Sequence, residues 1–139
     1  MRHVSYTVSF ILLLVGATLT AHAQESPLTV EGATTITADV AKTLYDKGVP
    51  FIDVRTDDLF ATSHIPGAIH LELFNAFDET SLVNAASKDK EVIIYCAGPG
   101  CKRSSKACIK AVSWGYKKVY YFRGGFPEWR AAGLPTDPP

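Results

Sequence analysis

Glu91-Val92-Ile93-Ile94-Tyr95-Cys96-Ala97-Gly98-Pro99-Gly100-Cys101-Lys102-Arg103 is the stretch whose reading decides the fold. Glu91–Cys96 is continuous and β-branched, the pattern of a strand buried on both faces. Ala97-Gly98-Pro99-Gly100 can extend neither strand nor helix and must be a loop. From Arg103 to Trp114, the residues Ala107, Cys108, Ala111 and Trp114 recur at helical spacing, and Gly115 stops the run. A buried strand thus passes through a Gly-rich loop into a helix.

The same alternation extends in both directions. Upstream, Thr34–Thr37 is a short β-like run. Ala38–Gly48 reads as an amphipathic helix with Val40, Ala41 and Leu44 on one face. Val49–Arg55 is a short apolar strand ending in charge, and Thr56 is placed to cap a helix over residues 57–62. Ser63-His64-Ile65-Pro66-Gly67 is a turn, and residues 81–86 form a weak helix because of Asn84. Downstream, Lys118–Phe122 is a second buried strand, Gly124-Gly125 a break, and Pro127–Ala132 a last short helix. Strands alternating with helices imply an α/β domain whose mostly parallel sheet carries helices on both faces. In such folds the working site lies beyond the carboxyl ends of the strands. Cys96 stands at one of those ends.

The chain has 139 residues, enough for one ordinary domain, and its 14 basic and 14 acidic residues cancel. Nothing in that balance advertises nucleic acid. His3, His22, His64 and His70 fall at no metal-ligand spacing, so neither metal nor cofactor is expected. At the N-terminus, Arg2 and His3 precede the apolar run Val8–Ala17, and Ala21-His22-Ala23 leads into polar Gln24-Glu25-Ser26. This is the pattern of a secretory signal peptide over residues 1–23, cleaved after Ala23. The expected organisation is therefore a signal peptide, a loose segment at 24–33 and one domain at 34–135. The protein is expected to be periplasmic or secreted, with no membrane attachment after cleavage. Cys96, Cys101 and Cys108 are all in the mature part, and an odd count leaves at least one free thiol.

The loop after Cys96 has the makings of a thiolate site. Gly98 and Gly100 let the backbone curl so that amide N–H groups turn toward one central sulfur. The helix beginning near Arg103 adds its positive end, and Lys102 and Arg103 add two cations. These features favour a thiolate, and would favour an anionic persulfide or an anionic donor such as thiosulfate. A cysteine at a strand end is ordinarily core. The loop, the cations and the helix start together favour the nucleophile. Cys108 falls on the apolar face of its helix and is expected to be inert. Trp114 and Trp129 are expected to pack.

Four segments together resemble the rhodanese family, over nearly all of residues 33–135. Phe51-Ile52-Asp53-Val54-Arg55 is similar to the family's first signature and His64-Ile65-Pro66-Gly67-Ala68-Ile69-His70-Leu71 to its second. Val92–Cys96 with its loop resembles the active-site strand. Gly124-Gly125-Phe126-Pro127-Glu128-Trp129, followed by Ala132-Gly133-Leu134-Pro135, resembles the C-terminal signature. The resemblance implies a three-layer rhodanese-like domain. It implies sulfurtransfer through a Cys96 persulfide, with the loop Ala97, Gly98, Pro99, Gly100, Cys101, Lys102 and Arg103 holding the substrate. Donor and acceptor would be small molecules or proteins. Asp53 and Arg55 would brace the active-site side, and His64 would cap a turn. The phosphatase relatives need Arg six positions after the cysteine, where Lys102 stands here, so phosphatase chemistry is not expected.

Cys101 departs from the commonest loop. It has three open roles: a reversible disulfide with Cys96, resolution of the persulfide, or lining the loop. An inward-turned cradle would hold Cys101 on the rim, so a Cys96–Cys101 bond is expected to be strained, easily reduced and inhibitory. Two other functions compete with sulfurtransfer. One is thiol–disulfide redox or sensing by Cys96 and Cys101, and the other is a non-catalytic binding module. Retention of Cys96 and the basic residues argues against the second.

Overall fold

The computed structural model describes residues 24–138. The signal peptide expected over residues 1–23 lies outside them. The chain alternates β1 (Ala33–Thr35), α1 (Ala38–Asp46), β2 (Phe51–Asp53), α2 (Asp57–Thr62), β3 (Ile69–His70), α3 (Glu79–Ala85), β4 (Val92–Tyr95), α4 (Arg103–Ser113), β5 (Val119–Phe122) and α5 (Gly125–Ala131). The five strands form one sheet in the order β1-β5-β4-β2-β3, every neighbouring pair parallel.

Side-chain alternation along the strands sorts the core into two layers. Ile52, Val92, Ile94, Val119 and Tyr121 face one way, into a cluster with Leu82 of α3 and Ala107, Cys108 and Ala111 of α4. Phe51, Ile93, Tyr95 and Phe122 face the other way, against Ala41 and Leu44 of α1 and Phe126 and Trp129 of α5. Both faces of β4 are buried, which is why it reads as an unbroken apolar run. Each fully buried aliphatic side chain there contributes about 1.5–3 kcal/mol. The expected α/β class with helices on both faces is the observed one.

Several local details differ from the sequence expectation. Val40 is 44% exposed, while Ala38, Ala41 and Leu44 make the buried stripe of α1. Spacing of three, Ala38 to Ala41 to Leu44, keeps one face, whereas Val40 sits about 100° away. The turn of α1 is capped from a distance: the Ala38 amide donates to Glu128 Oε1 at 2.9 Å. The third helix starts at Glu79, ahead of the expected 81. Asp78 and Ser81 form a capping box there, Asp78 Oδ1 accepting from the Ser81 amide at 2.8 Å. The last helix starts at Gly125, two residues before Pro127.

The segment 24–33 is not loose. Ser26 and Val30 are buried. The Tyr121 hydroxyl donates to the Pro27 carbonyl at 3.0 Å, and Arg123 donates to the Ser26 carbonyl from both Nε, at 3.2 Å, and Nη2, at 3.0 Å. Polar composition suggested a mobile leader, but the carbonyls of this segment are the acceptors that β5 and its end require.

Candidate active site at the end of β4

From β2 the chain first adds β3 on one side, then crosses to β4 on the other. The loops leaving β2 and β4 therefore diverge at the carboxyl ends of the strands, the place where open α/β sheets bind ligands. The two strands stay paired to their ends, the Val54 amide donating to the Tyr95 carbonyl at 3.2 Å. Cys96 follows directly after β4, with 1% of its surface exposed.

The loop after it is fastened from three directions. The Phe126 amide donates to the Cys96 carbonyl at 3.0 Å. Gly125 makes that approach possible: its φ is +59°, and a Cβ there would overlap the Cys96 carbonyl oxygen. The Pro99 carbonyl accepts from both the amide and the hydroxyl of Ser26, at 2.7 and 2.8 Å. Inside the loop the Cys101 amide donates to the Gly98 carbonyl at 2.9 Å, closing a tight turn with Gly98 at φ +109°. Gly100, expected to help the curl, has no positive φ.

That turn corrects two expectations. The Cys101 N–H is spent on Gly98, so it does not point at the Cys96 sulfur. The amides of Gly98, Gly100 and Lys102 donate to no backbone carbonyl, and those of Arg103, Ser104 and Ser105 in the first turn of α4 have no intrahelical one. The same turn also swings Cys101 inward from the rim. Its sulfur is bonded to that of Cys96, with the Cα atoms 6.5 Å apart, a separation that a disulfide spans without backbone movement. The Cys96 sulfur lies 3.5 Å from the Cys101 carbonyl oxygen.

Arg103 is not an unengaged cation over the sulfur. It donates through Nη1 to Glu72 Oε1, its guanidinium lies 4.8 Å from the centre of the Phe74 ring, and Nη1 reaches the Val54 carbonyl at 3.4 Å. Glu72 Oε2 meanwhile accepts the amides of Phe74 and Asn75, each at 2.9 Å. The hydrogen bond from Arg103, with those amides, holds the Glu72 carboxyl below its ordinary value. Arg103 therefore ties the start of α4 to the segment after β3, and its charge is largely matched. Lys102, the N-cap residue, is exposed and carries the cation expected beside the loop. Glu72 escaped the sequence reading. Its signal was a lone acid directly after Ile69-His70-Leu71.

Asp53 and Arg55, at the end of β2, form a buried ion pair. Arg55 Nη2 donates to Asp53 Oδ2 at 2.6 Å and to the Ser63 carbonyl at 2.8 Å, and the Arg55 amide donates to Asp53 Oδ1 at 2.9 Å. The guanidinium packs on Phe126, 4.4 Å from the ring centre. The Tyr95 hydroxyl accepts the Ile65 amide at 3.2 Å, and burial, with Asp53 nearby, pushes its phenol far above the ordinary value. Arg55 thus links β2, the turn at Ser63 and α5. His64 and His70 stack on Phe60, with centroids 3.8 and 4.4 Å away. Their ring nitrogens meet the Phe60 and Arg55 carbonyls. Cys108 is fully buried, and burial alone pushes its thiol up. Trp129 is fully buried, its Nε1 donating to the Pro135 carbonyl at 2.7 Å. Trp114 stacks on Phe77.

Comparison with known proteins agrees with this architecture. The family described as Rhodanese-like domain matches residues 37–132. The chain is 31% identical to Protein HIGH ARSENIC CONTENT 1, mitochondrial, of Arabidopsis thaliana, over 84% of this chain and 73% of that one. It is 34% identical to Thiosulfate sulfurtransferase GlpE of Pseudomonas fluorescens (strain SBW25), over 65% of this chain and 78% of that one. Among solved structures, the rhodanese-like domain of the Anabaena protein Alr3790 superposes with a TM-score of 0.62 at 27% identity, covering 77% of this chain and 79% of that one.

Proposed function

Because the chain belongs to the rhodanese-like domain family, we propose that it is a sulfurtransferase in which Cys96 carries the sulfur as a persulfide. The Cys96 thiolate attacks the sulfane sulfur of a donor such as thiosulfate, the donor's S–S bond breaks, and sulfite leaves with the electron pair. A thiophilic acceptor, such as cyanide or a thiol, then attacks the outer sulfur and returns the thiolate. The observation that carries this reading is the position of Cys96. It stands at the carboxyl end of β4, at the reversal of strand order, in a loop pinned by Ser26 and Phe126 and opening on the first-turn amides of α4. Those amides and Lys102 favour an anion at the sulfur. Asp53 and Arg55 are positioning residues in this scheme, and no metal or cofactor is needed. A second reading, thiol–disulfide exchange, draws support from the Cys96–Cys101 bond.

The test is intact-mass spectrometry of the reduced protein after exposure to thiosulfate. One added sulfur should map to Cys96. It should persist in Cys108→Ser and vanish in Cys96→Ser. An added sulfur retained by Cys96→Ser would refute the proposal. Export to the periplasm or the medium, with residues 1–23 removed, belongs to the same proposal.

A further inference from the structure

Cys96 and Cys101 differ in what can reach them. Cys96 is buried, whereas Cys101 is half-exposed at the start of the helix region. The turn closed by the Cys101 amide on the Gly98 carbonyl brings the second cysteine back over the first, and the two sulfurs bond directly. The third cysteine is no alternative partner, because Cys108 is enclosed by the core beneath α4. A persulfide on Cys96 would thus form with a second thiol already within bonding reach of its inner sulfur.

We infer that Cys101 resolves the Cys96 persulfide, so that the domain releases the transferred sulfur as hydrosulfide and closes its own Cys96–Cys101 disulfide. This rests on the persulfide reading of Cys96 and adds an activity to it. The Cys101 thiolate attacks the Cys96 Sγ, and a new S–S bond forms between the two residues. The bond from Cys96 Sγ to the outer sulfur breaks, and that sulfur departs with the electron pair as HS⁻. The outer sulfur is reduced, the two cysteines end at the disulfide level, and no further oxidant is required. Turnover needs a dithiol reductant, whose thiolate attacks the more exposed Cys101 sulfur and frees Cys96 as the thiolate. A relay is a different reaction: there Cys101 would bond the outer sulfur, one bond length farther from the position its own sulfur occupies. An external thiophile and Cys101 compete for the same intermediate, and the outcome is transfer in one case and sulfide release in the other.

The experiment treats the reduced, desalted protein with stoichiometric sodium thiosulfate and no added thiol. Sulfite, sulfide and intact mass are followed together. The wild type should release sulfite and then a matching amount of sulfide, and its mass should fall by two hydrogens with residues 96 and 101 cross-linked. Cys101→Ser and Cys101→Ala should release sulfite, give no sulfide, and keep one added sulfur on Cys96. A wild type that retains the added sulfur on Cys96 without sulfide would overturn the inference, and so would added sulfur found on Cys101. No sulfite from wild type or either variant would instead overturn the sulfurtransfer on which the inference rests, which keeps the two failures separable.

Discussion

Replacing Gly125 by alanine should loosen the Cys96 loop and destabilise the fold together. Gly125 has φ +59°, and an added Cβ would overlap the Cys96 carbonyl oxygen and crowd the Gly98 amide nitrogen at 3.1 Å. Those neighbours are backbone, so no side-chain rotation relieves the clash. The left-handed conformation costs an alanine about 1–2 kcal/mol. Pushing Cys96 away also breaks the bond from the Phe126 amide, a net loss of about 1 kcal/mol. The sum is about 2–3 kcal/mol. Gly133 supplies the control, because its φ is +70° but nothing lies within 4 Å of its Cβ position. Gly133→Ala should cost only the conformational part, about 1–2 kcal/mol. In urea unfolding followed by tryptophan fluorescence, the two midpoints should differ by roughly 0.5 M, given a typical denaturant slope. Sulfite release from thiosulfate should fall roughly 10–100-fold in Gly125→Ala, since a displacement of an ångström at a nucleophile has that effect. Equal stabilities of the two variants, with sulfite release unchanged in Gly125→Ala, would refute the claim that this contact positions the site.

Three further outcomes are expected. Lys102→Ala should lower use of thiosulfate several-fold more than use of a neutral persulfide donor, at unchanged stability, because Lys102 is the exposed cation at the loop; Arg103→Ala should instead lower stability, measured by urea unfolding, by leaving Glu72 without its partner. The Glu72 carboxyl is held below its ordinary value of 4.5, so its ion pair stabilises the fold above that pH and loses its effect as pH falls through the lowered value. Glu72→Gln should therefore be less stable than wild type at neutral pH, and the gap in urea midpoint should narrow as the pH falls through the lowered value, whereas parallel pH curves would exclude the ion pair as its cause. If the protein is exported, N-terminal sequencing of the secreted form should begin at Gln24, and an intact Met1 on that form would exclude the cleavage.

Much of the fold was legible because a parallel sheet covered on both faces leaves a local trace. Val92–Tyr95 and Val119–Phe122 are apolar without interruption, and α4 shows helical spacing up to its stop at Gly115. The helix over residues 57–62 was legible from Thr56, which stands at its N-cap although its side chain makes no capping bond. The two-residue strand Ile69–His70 was not, because only its pairing with β2 defines it. The candidate nucleophile was marked only by the loop, the cations and the helix start together, since a strand-end cysteine alone is ordinarily core. Its surroundings were less legible. Lys102 and Arg103 look alike in sequence, yet one is exposed and the other is consumed by Glu72, 31 residues away along the chain.

By itself, then, the sequence determined the class of fold, the residue at the end of β4 and the family the chain resembles. These depend on periodicity and on short motifs, which are properties of neighbouring residues. Only the tertiary structure decided the order of the strands, the docking of residues 24–33 on the loop, the matching of Arg103 by Glu72, and the meeting of Cys96 with Cys101. Each of these depends on the direction in which a side chain or carbonyl points after the chain has turned. A hydrogen bond of 2.9 Å from the Cys101 amide to Gly98, within a loop, is what turns one cysteine back over the other.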